Sequence, residues 1–131
     1  MTQIKQRYTY GKNEKLKSTK VIDLLFKEGR SLQQYPIRFL WMRVDSESNL
    51  QASVAVSKRF FAKAVDRNKL KRHLREAWRL QKNVIEAELL QKGISIASMI
   101  VFTGKVKKDH QLIAASLEKI LLKLRQQIDE L

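Results

Sequence analysis

The stretch DRNKLKRHLREAWR, Asp66 to Arg79, carries Arg67, Lys69, Lys71, Arg72, Arg75 and Arg79, with His73 as a further cation when protonated. Only Asp66 and Glu76 oppose them. Side chains of this kind bind phosphate. A guanidinium forks onto two oxygens, and an ammonium acts as a compact point charge. At ~100° per residue, Arg67, Lys71, Arg75 and Arg79 form an i, i+4 row on a helix, flanked by Asn68 and Arg72. Leu70, Leu74 and Ala77 fall on the opposite side, with Trp78 at the boundary. One stripe can pack into a core while the other presents a continuous cationic band.

Such a helix breaks two local preferences. Like charges at i, i+4 destabilise by roughly 0.2–0.5 kcal/mol per pair. Basic residues in a first turn also oppose the helix macrodipole, and only Asp66, read as the N-cap, follows the usual pattern. Repeated violations in one place point to function. Here they point to an anion site, where the free N–H groups of the helix N-terminus meet Arg67, Lys69 and Lys71. Lys58 and Arg59 lie just upstream. Residues 58–82 hold ten Lys/Arg against two acids, a net of +8 within a chain total of +14. That clustering favours a polyanionic partner over a generic cationic surface. Composition alone does not separate RNA from DNA.

The elements that must position this helix can be read from periodicity. STKVIDLLFKEG, from Ser18, is an amphipathic helix capped by Ser18 or Thr19 and ended by Gly29. YPIRFLWMRV alternates, with Ile37, Phe39 and Trp41 on one side and Arg38, Leu40 and Met42 on the other, which predicts a strand. LQASVAVS alternates again, with Ala52, Val54 and Val56 on one face, and the two segments read as an antiparallel hairpin. The basic helix weakens near Gln81 to Asn83, and a second helical piece runs to Gly93. ISIASMIVF predicts a buried strand, KVKKD a basic turn, and HQLIAASLEKILLKLRQQIDEL a terminal amphipathic helix. The expected architecture is α+β, one small domain over residues 1–131 with helices packed on a sheet. Residues 1–15 read as a loose basic arm whose end can dock.

Composition narrows the chemistry. With 131 residues, 44% hydrophobic, the chain can bury one modest core. There is no cysteine, so neither disulfides nor a thiolate metal site is available. His73 and His110 are the only histidines and read as a helix-flank and a cap-region residue, not as catalysts. The start lacks the apolar run of a secretory signal, and no segment reaches the ~18 apolar residues of a spanning helix. The reading is a soluble cytoplasmic protein with no membrane partner. Trp41 and Trp78 read as core. Phe26, on the first helix, reads as core more readily than as a stacking platform.

The residues Val56, Ser57, Lys58 and Arg59, followed by Arg67, Asn68, Lys69, Lys71, Arg72, Arg75 and Glu76, closely resemble the signature of the bacterial ribonuclease P protein subunit, V-S-K-[KR] and then R-N-[RK]-x-K-R-x-x-R-E. GKNEKLKSTKVIDLLFKEGRS resembles that family's N-terminal block and MIVFTGK its last strand, so the resemblance covers essentially everything after Tyr8. Lys69 stands where the family often has Arg. The spacer FFAKAV stands where glycine and asparagine are common, and Leu40 where the first strand often has an aromatic.

The resemblance implies a four-stranded sheet and a left-handed β-α-β crossover presenting the basic helix, a fold shared with a ribosomal-protein domain. It implies a protein that partners a catalytic RNA, by default one to one. Together they remove the 5′ leader of precursor tRNA by magnesium-dependent endonucleolytic cleavage. In that scheme the RNA carries Mg2+, the protein supplies no nucleophile, and there is no small-molecule substrate. Arg67, Asn68, Lys69, Lys71, Arg72 and Arg75 would meet the catalytic RNA. Ile22, Phe26, Arg38, Leu40, Lys58 and Arg59 would line a cleft for the single-stranded leader. The turn with Lys105, Lys107 and Lys108 is either a further RNA contact or a solvated loop. The rival readings are a ribosomal-type structural RNA-binding protein, a duplex-DNA binder and a protein-only nuclease. No convincing pair of carboxylates favours the last.

Overall fold

The computed structural model describes residues 10–131. The chain runs through a 3-10 turn (Lys12–Glu14), α1 (Thr19–Glu28), β1 (Arg30–Gln34), β2 (Ile37–Val44), β3 (Leu50–Val56), α2 (Ala64–Gln81), α3 (Asn83–Lys92), β4 (Ser95–Phe102) and α4 (His110–Asp129). It is a small α+β domain with a four-stranded mixed sheet and four α-helices, as expected. The expected hairpin is not there. The strand order is β1-β2-β4-β3, with β4 antiparallel to β2 and parallel to β3. The reason lies in β4. Its sequence SIASMIVF is apolar on both faces and buried along nearly its whole length, so it takes the centre of the sheet and keeps β2 and β3 apart. The antiparallel partner of β2 in chain order is instead β1, a five-residue strand of mostly polar residues that periodicity does not reveal.

The alternation in β2 holds. Ile37, Phe39 and Trp41 join Ala52, Val54, Val56, Ile96, Ile100 and Phe102 on one face of the sheet, under α2, α3 and α4. Leu40 and Met42 join Ala97 and Met99 on the other face, covered by α1 through Leu25, Val21 and Ile22. Both tryptophans are core. Trp78 packs against Phe39 at 5.9 Å between ring centroids, and Trp41 donates its indole N–H to Gln127 Oε1 at 3.0 Å.

Helix ends follow local chemistry. Ser18 caps α1, its Oγ accepting from the Val21 N–H at 3.4 Å. Gly29 ends α1 with φ −64, so it is not in the left-handed region; a Cβ there would run into the Leu25 carbonyl oxygen. Gly93 does take the left-handed conformation, φ 66, and closes α3. Asp109 caps α4 by accepting from the Leu112 N–H at 2.9 Å.

Residues 1–9 of the expected arm lie outside the described residues. From Tyr10 onward the chain is tied down along β3. The Tyr10 hydroxyl donates to the Ala52 carbonyl, the Leu16 N–H donates to the same oxygen at 2.9 Å, and Lys15 bridges Ala52 in parallel fashion. Lys82, at the break between α2 and α3, is only 2% exposed, and its Nζ reaches Glu14 at 2.5 Å and Glu86 at 3.1 Å. Glu14 thus anchors the segment to the break between α2 and α3.

Burial pushes the Tyr10 phenol up to about 12. Burial alone would lower Lys82, but the hydrogen bonds it donates to Glu14 and Glu86 outweigh it and raise the ammonium pKa. A group raised on folding gives stability that is complete below its unfolded pKa and lost as pH climbs through the folded one. The tether should therefore be intact below the ordinary phenol value of 10.0 and released toward pH 12. Ultraviolet difference titration should show one late-ionising tyrosine, absent in Tyr10→Phe. Simultaneous ionisation of all phenols near the ordinary value would mean that the tether does not form in solution.

Candidate nucleic-acid interface

Helix α2 buries Leu70, Leu74, Ala77 and Trp78 and turns its other side to solvent. Asn68, Lys69, Arg72 and Arg75 are exposed, Lys71 and Arg67 are half-buried, and the four exposed residues spread over the outer surface. Arg79 is paired with Glu76, Nη2 to Oε1 at 2.6 Å, which holds the Glu76 carboxyl below its usual range.

Two sequence expectations change here. Asp66 is not the N-cap. The helix starts at Ala64, and Lys63 caps it with no side-chain bond. Asp66 sits in the first turn instead and meets Lys107 Nζ at 2.8 Å, a hydrogen bond that lowers its carboxyl pKa. With the helix starting at Ala64, Lys69 and Lys71 stand a turn or more beyond its first residues rather than in the first turn. Arg67 also has an inward task. Its Nη1 donates to the carbonyls of Phe61 at 2.8 Å and Ala62 at 2.7 Å, clamping the loop that leads into α2.

His73 lies on the helix flank, 5.6 Å from His110 between ring centroids. Burial lowers its pKa first, and His110, Lys69 and Arg72 lower it further. The shift favours its neutral form.

The second surface lies between α1 and its sheet face. Register places Arg38, Val101 and Ala55 in one row across β2, β4 and β3, and Leu40, Met99 and Ser53 in the next. Helix α1 covers the Leu40 row. Leu40 is 1% exposed, under Leu25, and so serves as floor and core; its side chain is closed to a ligand. The Arg38 row is half-open. Arg38 is positioned by its Nε–H donating to Ser31 Oγ at 3.1 Å. Ile22 and Phe26 are one turn apart on α1. Ile22 is half-buried, whereas Phe26 is 48% exposed, against the expectation of core. Lys58 and Arg59 are exposed in the turn just past β3, beyond Ala55. The structure thus gathers Ile22, Phe26 and Arg38 about one sheet face with Lys58 and Arg59 at its end, and removes Leu40 from the contact surface.

Two exposed aromatics escaped the sequence reading. Phe60 is 41% exposed and Tyr35 is 59% exposed, and each has a lysine of the 105–108 turn over its ring. Phe60 could have been noticed beside Lys58 and Arg59; Tyr35 opens the stretch that predicted β2, but with β1 unrecognised nothing marked it as the exposed tip of a turn. Among the described residues no three His, Asp or Glu side chains converge as a metal-ligand set, and no helix is long and apolar enough to cross a membrane.

Comparison with known proteins identifies the family and the fold. The family described as Ribonuclease P matches residues 10–125. The ribonuclease P protein component of Porphyromonas gingivalis is 31% identical over 121 residues, covering 88% of each chain. The solved RNase P protein of Staphylococcus aureus superposes with a TM-score of 0.70 over 86% of this chain and 96% of that one, at 21% identity. That of Thermotoga maritima superposes with 0.62 over 82% and 94%, at 26% identity. With the ordered basic motif on the outer side of α2 and the match spanning nearly the whole chain, this protein belongs to the ribonuclease P protein family.

Proposed function

We propose that this chain is the protein subunit of ribonuclease P, and that two of its surfaces divide the RNA between them. The outer side of α2, through Asn68, Lys69, Lys71, Arg72 and Arg75, docks on the catalytic RNA. The cleft between α1 and the sheet holds the single-stranded 5′ leader of precursor tRNA. Ile22 and Phe26 offer apolar and aromatic surface to bases, and Arg38, Lys58 and Arg59 offer charge to the backbone. The observation that carries this reading is the coincidence of motif and exposure: most of its cations lie on the open side of α2, where a polyanion can reach them. Arg67 takes part by holding the loop before α2 in place, and Lys69 keeps the charge of that motif position without the planar fork.

In this reading the Mg2+ ions belong to the RNA and supply the Lewis acid and the activated water. The protein's residues bind, screen phosphate repulsion where two RNAs meet, and lower the magnesium needed. Leader contact separates precursor from product, since mature tRNA has no leader, and specificity is then a difference of affinities. One protein binds one RNA, in the cytoplasm.

The deciding experiment is reconstitution with a bacterial ribonuclease P RNA and 5′-labelled precursor tRNA at low magnesium, omitting each component in turn. Cleavage at the mature 5′ end should need both protein and RNA. Cleavage by the protein alone would place catalysis in its carboxylates. Tight binding to ribosomal RNA without stimulated cleavage would favour a structural RNA-binding role.

Two variant sets divide the surfaces. Arg72→Ala with Arg75→Ala should weaken RNA-subunit binding and reduce the slope of log affinity against log salt by about 1 per lost phosphate contact, with stability unchanged. Arg67→Ala should lower stability as well, by about 1 kcal/mol, because two carbonyls lose their donor. An unchanged salt slope in the double variant would remove α2 from the interface. Phe26→Ala should cost about tenfold in affinity for precursor tRNA and nothing for mature tRNA, measured as holoenzyme binding. Equal losses for both would move Phe26 out of the leader cleft.

A further inference from the structure

The end of the sheet beyond the Arg38 row carries two aromatic rings that neither the motif nor the cleft uses, beside Arg59 of the cleft. Here the β1–β2 turn, the turn after β3 and the turn after β4 come together. Phe60 stands out from the second, Tyr35 from the first, and the third contributes a lysine to each. Lys105 Nζ lies 5.6 Å from the Phe60 ring centroid, and Lys108 Nζ lies 5.6 Å from that of Tyr35. The Arg59 guanidinium is also over Phe60, at 5.7 Å.

Both rings are held on fixed backbone. Phe61, next to Phe60, is buried and packs edge-on against Phe102 at 5.8 Å, so its neighbour is turned outward. The Phe61 N–H donates to the Ser57 carbonyl at 3.2 Å. The Tyr35 carbonyl accepts from Ser116 Oγ at 3.0 Å. The Pro36 carbonyl accepts from the Thr103 N–H at 2.8 Å and from Thr103 Oγ1 at 3.1 Å, which joins the first and third turns. Lys107, between the two stacked lysines, is bound to Asp66 and pins the third turn to α2.

Singly exposed apolar side chains are ordinary on a protein surface; what sets these two rings apart is the cation held over each of them. Their neighbours are cations, which rules out an apolar partner. Aromatic rings interleaved with lysine and arginine on a rigid frame suit unstacked bases with a phosphate backbone alongside, and any base can stack on such a ring. Lys105 and Lys108 are three residues apart, so their Cα atoms lie within about 11 Å of each other, and the two rings are served by one short turn. Arg38 lies three residues from Tyr35, and Ala55 five from Phe60, so both turns leave the sheet at the same end as the Arg38 row.

We infer that Tyr35 and Phe60, with Lys105, Lys108 and Arg59, form a second stacking platform for single-stranded RNA, which takes the leader nucleotides upstream of those in the α1 cleft. This rests on the proposed role in leader binding. It makes this protein a reader of leader length, because only a leader long enough to leave the cleft reaches the platform.

The test compares wild-type holoenzyme with Tyr35→Ala/Phe60→Ala, using precursor tRNAs whose leaders are shortened stepwise from the 5′ end. Tyr35→Phe/Phe60→Tyr serves as the variant that keeps both rings. Wild-type affinity should rise in a second step as the leader lengthens. The alanine variant should lose that step, about tenfold at long leaders, while matching wild type at short ones. The ring-keeping variant should retain it. Equal affinity of all three proteins at every length, or an equal loss at every length, overturns the platform. If wild type does not prefer precursor to mature tRNA, the leader reading itself fails. The platform is then decided by the protein alone with a labelled single-stranded oligonucleotide, where undiminished binding by the alanine variant overturns it as well.

Discussion

Strand β4 must be buried on both faces, and most of the architecture follows from that requirement. SIASMIVF cannot sit at a sheet edge or face water, so it takes a neighbour on each side and a helical layer above and below. The layer above, α2 with α3 and α4, holds the larger part of the core, including Trp41, Trp78 and Phe39. The layer below is α1 alone, and one ten-residue helix cannot cover a four-stranded sheet. What it leaves half-open, the row of Arg38, Val101 and Ala55, is the cleft. The same requirement makes β3 and β4 parallel neighbours, and a parallel pair needs a long crossover. That crossover is the basic helix α2 followed by α3. Both candidate surfaces are therefore consequences of where one apolar strand had to go.

The charge on α2 is tolerable for a related reason. Three like-charged i, i+4 pairs, Arg67–Lys71, Lys71–Arg75 and Arg75–Arg79, cost about 1 kcal/mol together. Burying Leu70, Leu74 and Trp78 returns about 1.5–3 kcal/mol for each. Tertiary packing therefore wins over local repulsion, and the helix can carry an outer surface chosen for its partner instead of for its own stability.

Much of this was legible before any coordinates. Period two assigned the faces of β2 and β3 correctly, and helical spacing marked the buried stripes of α2 and α4, because side-chain direction follows directly from backbone period. Pairing was not legible. β2 and β3 are adjacent in sequence and both alternate, yet their common neighbour is a strand some forty residues further on. At the site, charge and order gave the motif helix but not the destination of individual side chains. Arg67 turned inward because bare carbonyls at Phe61 and Ala62 lay within reach. Leu40 was closed off and Phe26 left open because the exact placement of α1 decides both, and no pattern within α1 encodes that placement.

The docking of residues Tyr10–Leu16 on β3 concerns the other copies of this protein in a cell. β3 is an edge strand, and its outer backbone groups could accept a strand from any chain nearby. The chain supplies its own cover, with Leu16 bonded to Ala52 and Glu14 locked to Lys82. Because the cover is tethered, it competes at an effective concentration on the order of millimolar, far above what separate copies usually reach. Glu14 is made long before Lys82 exists to receive it, 68 positions later. During synthesis Tyr10–Leu16 can reach Ala52 once β3 has emerged, but the Glu14–Lys82 lock and then β4, the sheet partner of β3, arrive only later, so the guarded edge is complete only after the chain has passed both.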